Sequence, residues 1–165
     1  MIPRAERLQM AAVLALLAVL HFGLRPWLGN PRVSPDFLLL ALLVYAIRAR
    51  PGAAAVAGFL IGLLSDSLVS VAFGSAMLAY AVVGYLAAWG KAVFFADNPA
   101  VAGGLFFVGV VVRDVLVLLW GGHAAGTSVL WQLALWTPLQ ALTTALSGVV
   151  VLLLFRQWLR VRVGE

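Results

Sequence analysis

The chain has 165 residues, 64% of them hydrophobic and only 10% charged, with a mean hydropathy of +1.08. A soluble domain carries about 45–50% apolar and about 25% charged residues, so one water-facing domain could not hide this much apolar surface, and disorder is excluded on the same grounds. Cysteine is absent, which removes disulfide scaffolds, thiolate metal sites and cysteine nucleophiles together. What remains is an all-α, polytopic membrane protein forming a single integral membrane domain over residues 1–165.

The charge-free runs 8–24, 37–47, 51–65, 67–90, 98–112 and 115–155 set the spans. A spanning helix needs about 20 mainly apolar residues. Runs 8–24 and 67–90 meet that limit alone, and the last is long enough that Gly121-Gly122-His123-Ala124-Ala125-Gly126 must break it as a turn. Six helices are predicted, over about 8–26, 34–49, 52–69, 74–95, 99–120 and 129–157. The first imitates a signal peptide, but His21-Phe22-Gly23-Leu24-Arg25-Pro26 offers no small-x-small cleavage site, so it is read as retained. Pro35 and Pro51 bracket the second helix and Pro99 opens the fifth, where a missing donor costs nothing. The second span is too short for a bilayer. It must extend back through Arg32-Val33-Ser34 or stop within a locally thin region. In the sixth, Pro138 is expected to kink the helix by removing a backbone donor.

With six spans both termini share a side, and the basic residues choose it. Arg4, Arg7, Arg48, Arg50, Lys91, Arg156, Arg160 and Arg162 fall on one face, and Arg25 and Arg32 on the other. The termini are therefore expected in the cytoplasm. The net charge of +5 then reflects orientation and contact with anionic membrane lipids, not nucleic-acid binding. Trp27, Trp120 and Trp131 at outer ends, with Trp89 and Trp158 at inner ends, fit interfacial aromatic belts.

Few polar groups lie at membrane depth. Asp36, Asp66, Arg113 and Asp114 are all expected on the outer side, as a candidate intramembrane polar cluster. One reading is a polar pocket or coupling site. The other, which is favoured, is an internal ion pair fixing helices three and five, with Asp36 as an interfacial helix cap. Neighbours on a helix point about 100° apart, so Arg113 and Asp114 are not expected to be full partners, and Arg113 is expected to pair with Asp66. Gly58-x-x-x-Gly62, with Ala54 at the same spacing, forms a small-residue stripe on helix three, and Gly84 and Ala88 repeat it on helix four. Such stripes let helix backbones approach closely in lipid. Gln140, Thr144, Ser147 and Gly148 share a face of helix six, with Thr143 beside it, and are read as packing rather than a substrate path.

His21 and His123 stand apart from any ligand-spaced partner, so no metal site is expected. No serine lies in Gly-x-Ser-x-Gly and no phosphate loop follows a strand. No catalytic residue and no cofactor are assigned, and the chain is not expected to be an enzyme.

One stretch carries a recognisable order. Ser34-Pro35-Asp36-Phe37-Leu38-Leu39-Leu40 leads into a short helix ending at Arg48-Ala49-Arg50-Pro51. Gly58-Phe59-Leu60-Ile61-Gly62-Leu63-Leu64-Ser65-Asp66 follows, then Phe73-Gly74 and Gly84-Tyr85-Leu86. This resembles the MreD family, small polytopic subunits of the bacterial rod-shape machinery, over residues 34–86; the later part matches in length and hydropathy alone. The resemblance implies that Pro35, Asp36, Gly58, Gly62, Asp66 and Gly74 are family positions serving fold and partner interface. It implies an inner-membrane scaffold with an MreC-like bitopic partner. That pair would act beside a RodA-type polymerase with its class B transpeptidase and cytoplasmic MreB filaments, supporting peptidoglycan synthesis in the elongasome. It also implies a fold similar to the substrate-binding subunits of energy-coupling-factor transporters. Vitamin binding by such a subunit is the alternative function, which the short outer loops near 27–33, 70–73 and 121–128 disfavour because they leave little to form a lid.

Overall fold

The computed structural model describes residues 4–24, 27, 30, 32–68, 73–94, 99–121 and 131–155. These residues form six α-helices: α1 (Arg4–Gly23), α2 (Phe37–Ala46), α3 (Pro51–Leu68), α4 (Ser75–Phe94), α5 (Pro99–Trp120) and α6 (Thr137–Leu154). Among the described residues there is no strand. Each of the six helices predicted from the sequence overlaps one of these in position. Beyond Gly121, the predicted turn up to Gly126 lies outside the described residues, as do Arg25, Trp158 and the C-terminal arginines.

The largest departure is α2. It covers 10 residues, about 15 Å at 1.5 Å per residue, half of a hydrocarbon core about 30 Å thick. Residues 32–34 do not extend it; they turn, with Ser34 N–H donating to Asn30 O at 3.1 Å. The helix stops short because Pro35 has no donor and Asp36 caps the first turn, accepting from Leu39 N–H at 3.0 Å. At its other end Ile47 and Arg48 close tight turns onto the carbonyls of Leu43 and Tyr45. Every α2 residue except Tyr45 is buried, as expected of a helix apolar on all sides. All five other helices touch α2, which makes it the axis of the bundle.

Glycines set how closely the helices approach. Ala54, Gly58 and Gly62 of α3 run antiparallel past Gly84, Tyr80 and Met77 of α4. A Cβ on Gly58 would collide with the Tyr80 carbonyl, one on Gly62 would lie 2.5 Å from Met77 Cα, and one on Gly84 would lie 2.5 Å from Ala54 O. The stripe read from the sequence is therefore a backbone-to-backbone contact. Two further glycines seat α2: Gly109 of α5 receives Leu43, and Gly148 of α6 receives Leu40 and Phe106.

Pro138 acts through a π-helical turn, Gln132–Trp136, which leads directly into α6. A proline ring conflicts with the carbonyl four residues earlier, here that of Ala134 inside the turn. The wider turn absorbs the conflict, so the apolar helix continues from Gln132 to Leu154.

Polarity is inverted relative to a water-soluble fold. His21, Asp36, Asp66, Asp114, Gln140 and Thr144 are buried, while Val56, Leu60, Trp89, Leu146 and Leu154 lie on the surface. Exposed apolar area on this scale marks contact with lipid or protein. By length and composition Val101–Trp120 and Gln132–Leu154 can each cross a membrane, and the other apolar helices are shorter.

The packing makes a direct prediction. Gly58→Leu and Gly62→Leu should each force α3 from α4 and lower membrane accumulation of a fluorescent fusion severalfold, because overpacking costs about 1–3 kcal/mol and such losses change abundance. Gly104→Leu, where a Cβ would meet nothing within 4 Å, should accumulate normally.

Candidate functional site

The site is built around one carboxylate. Asp36 precedes α2 and is 1% exposed. Its Oδ1 takes the Leu39 N–H, and the positive end of the helix dipole favours its charge. Its Oδ2 accepts from the Tyr80 hydroxyl of α4 at 2.7 Å and lies 3.2 Å from Arg113 Nη2 of α5. Its own backbone N–H donates to Thr144 Oγ1 of α6 at 3.1 Å. His21 of α1 completes the shell, with Nδ1 3.7 Å from Oδ1.

Arg113 extends the network along α5. Its Nε lies 3.1 Å from Asp114 Oδ1, and Asp114 Oδ2 accepts from the Thr137 hydroxyl at 2.7 Å. The guanidinium also sits over the Tyr80 ring, 5.9 Å from its centre. One continuous path therefore runs from α4 through Asp36, Arg113 and Asp114 to the start of α6. Adjacent helical residues do approach each other here, through the Arg113 Nε and one Asp114 oxygen. The pairing is partial: Asp114 faces one nitrogen and Asp36 another.

The chain entering α2 is held from the same side. Thr143 Oγ1 donates to Val33 O at 2.7 Å and Gln140 Nε2 to Ser34 O at 3.4 Å. Thr143 and Ser147 hydroxyls also reach carbonyls of α6 itself, those of Gln140 and Thr143. The polar face of helix six thus binds a non-helical segment that would otherwise carry bare carbonyls into an apolar interior.

The expected pair between Arg113 and Asp66 is not formed. Asp66, 5% exposed, commits both oxygens to the start of α4: Oδ2 accepts from Gly74 and Met77 N–H at 2.9 and 3.1 Å, and Oδ1 from Ala76 N–H at 3.3 Å. Helix N-termini present unsatisfied donors that a carboxylate can take up. Gly74 has φ +99°, a conformation that disfavours a side chain, and in it the Gly74 N–H meets Asp66. The predicted cluster thus resolves into two sites, a network of Asp36, Arg113 and Asp114 and a separate Asp66–Gly74 cap. Tyr80, His21, Thr137 and Thr144 join the network without having been singled out as its members. Thr144 and His21 did stand out in the sequence, the first on the polar face of helix six and the second as a lone histidine, whereas Tyr80 and Thr137 carried no signal there. Among the described residues no group of three or more His, Asp and Glu side chains converges to hold a metal ion.

Three sets of variants test this arrangement. Arg113→Ala should destabilise the protein by about 3–5 kcal/mol, the range for removing one partner of a buried ion pair, and Asp66→Arg should not rescue Arg113→Asp. Tyr80→Phe should cost about 1.5–3 kcal/mol, as for a hydrogen bond to a charged group. Asp66→Ala should cost about 0.5–2 kcal/mol through loss of the cap. Thermal unfolding of the purified chain in detergent reads all three.

No curated protein and no solved structure matches the chain. The family model described as rod shape-determining protein MreD matches residues 5–161 of the 165. That span takes in the six described helices except Arg4 at the start of α1, includes both polar sites, and extends well past the 34–86 stretch that carried the resemblance. The chain belongs to the MreD family of rod shape-determining membrane proteins.

Proposed function

We propose that the chain is a non-enzymatic scaffold of the bacterial elongasome, a single membrane domain that binds an MreC-like bitopic partner and so supports peptidoglycan synthesis and rod shape. The observation that carries this reading is the direction in which the polar groups face. Asp36, Arg113, Asp114, Tyr80 and Thr137 face one another inside the bundle, while the outer faces present apolar side chains such as Val56, Leu60, Leu78 and Leu86. A protein of this form acts through its helix surfaces, where partner helices are bound by packing. The RodA-type polymerase, its class B transpeptidase and MreB filaments would be engaged through that partner.

The basic residues support an inner-membrane orientation with both termini cytoplasmic. A vitamin-binding subunit with an energy-coupling-factor fold would instead turn several polar groups towards an open, substrate-sized cavity. The closed network around Asp36 favours the scaffold.

The test is co-purification of the tagged chain in mild detergent from membranes that co-express the host's MreC-like protein. Co-elution as one species through size exclusion is expected. Failure to associate, with a vitamin or other small molecule retained by the chain instead, would overturn the scaffold reading.

A further inference from the structure

Helix α1 is the least enclosed of the six. It packs mainly against α2, through a stripe that recurs every fourth residue: Val13, Leu17 and then His21, all buried. Much of its remaining surface is open, with Leu8, Leu16, Val19 and Phe22 exposed. Towards α6 there is no seal, because an apolar groove lined by Leu16, Leu20, Leu146 and Val150 lies between the two helices. In lipid, apolar side chains gain little by exchanging the bilayer for a protein surface, so close packing and polar contacts decide whether a helix stays docked. His21 makes such a contact, with Nδ1 3.7 Å from Asp36 Oδ1.

The charges around that contact do not balance. Asp36 and Asp114 are both buried, and Arg113 lies between them, 3.2 Å from the first and 3.1 Å from the second. Two carboxylates against one guanidinium leave a net charge of −1, and an excess charge in an apolar interior is costly.

Among the described residues, the other groups that meet Asp36 bring no charge: the Leu39 N–H of α2, the Tyr80 hydroxyl of α4 and Thr144 of α6. Asp66 of α3 is committed to the start of α4. Arg113 of α5 opposes a second cation, but from the other oxygen of Asp36 and with Asp114 on its Nε. His21 is therefore placed to supply the missing charge. As imidazolium it makes the set two against two, and histidine is the side chain whose charge changes near physiological pH. A neutral ring gives up that attraction and leaves α1 to its apolar stripe. We infer that His21 is a proton-operated latch on α1: the imidazolium pairs with Asp36 and docks the helix, and loss of the proton loosens it.

The chain has no cysteine and two histidines, His21 and His123, which makes the test specific. Cysteines introduced as Leu8→Cys on α1 and Leu60→Cys on α3, both exposed positions, carry spin labels in a His123→Gln background. Pulsed electron paramagnetic resonance of the full-length chain in lipid nanodiscs then reads the distance between α1 and the bundle from about pH 5 to about pH 8, the range of histidine switching. The docked share of the distance distribution should fall severalfold as the pH rises. His21→Gln should show one distribution throughout. Nitrogen NMR of isotope-labelled histidine reports the His21 ring directly and should change with the same midpoint, which decides the question should His21→Gln fail to accumulate. A distance that stays constant while the ring titrates, a ring that does not titrate over this range, or a pH response that survives in His21→Gln would overturn the proposal.

Discussion

A carboxylate in an apolar interior is tolerated only where the surrounding groups replace the water it has lost. At Asp36 that replacement comes from most of the bundle: the first turn of α2, the Tyr80 hydroxyl on α4 and Arg113 on α5, with α6 receiving the aspartate's own N–H. Each partner has to arrive within hydrogen-bonding or ion-pairing distance of one small group, so their helices cannot slide independently. Removing any partner leaves a buried charge less satisfied, which makes the network a strong constraint on register.

The short second helix is the consequence. Ten residues cannot cross the hydrocarbon core, so the chain reaches Asp36 as irregular backbone. Irregular backbone is stable at that depth only when it is enclosed by protein. Thr143, Gln140 and Thr144 on α6 supply the donors and the acceptor that enclosure requires. The glycines on α3, α4, α5 and α6 then allow the outer helices to close around α2 tightly enough for these short contacts to form. Polar satisfaction and close helix approach are therefore coupled: Gly58 packs against the backbone of Tyr80, the same residue whose side chain reaches Asp36.

This design gives a rigid polar interior and an apolar exterior, which suits a protein working through lateral contacts within a membrane. The α3–α4 hairpin and the α5–α6 hairpin are extensively packed. Helix α1 is different, since it rests mainly on α2 and leaves the groove beside α6 open. The least enclosed helix therefore forms one wall of that groove.

Composition alone determined that the chain is a helical membrane bundle, because no other class accommodates so much apolar surface with so little charge. Charge spacing gave six helices, and proline and aspartate at positions 35 and 36 marked where α2 begins. The Gly58–Gly62 stripe was legible too, since spacing by four residues reads directly as one helix face. Which acidic residue meets Arg113 was not legible. Asp36 and Asp66 lie at similar expected depth, and only the tertiary structure decides between them: the α4 N-terminus folds back over Asp66 and takes up both its oxygens, leaving Arg113 to Asp36. The roles of His21, Tyr80 and Thr137 were hidden for the same reason. Periodicity states which face of a helix a residue occupies, whereas partners far apart in sequence are set by how helices are arranged around one another, and that arrangement exists only in the folded bundle.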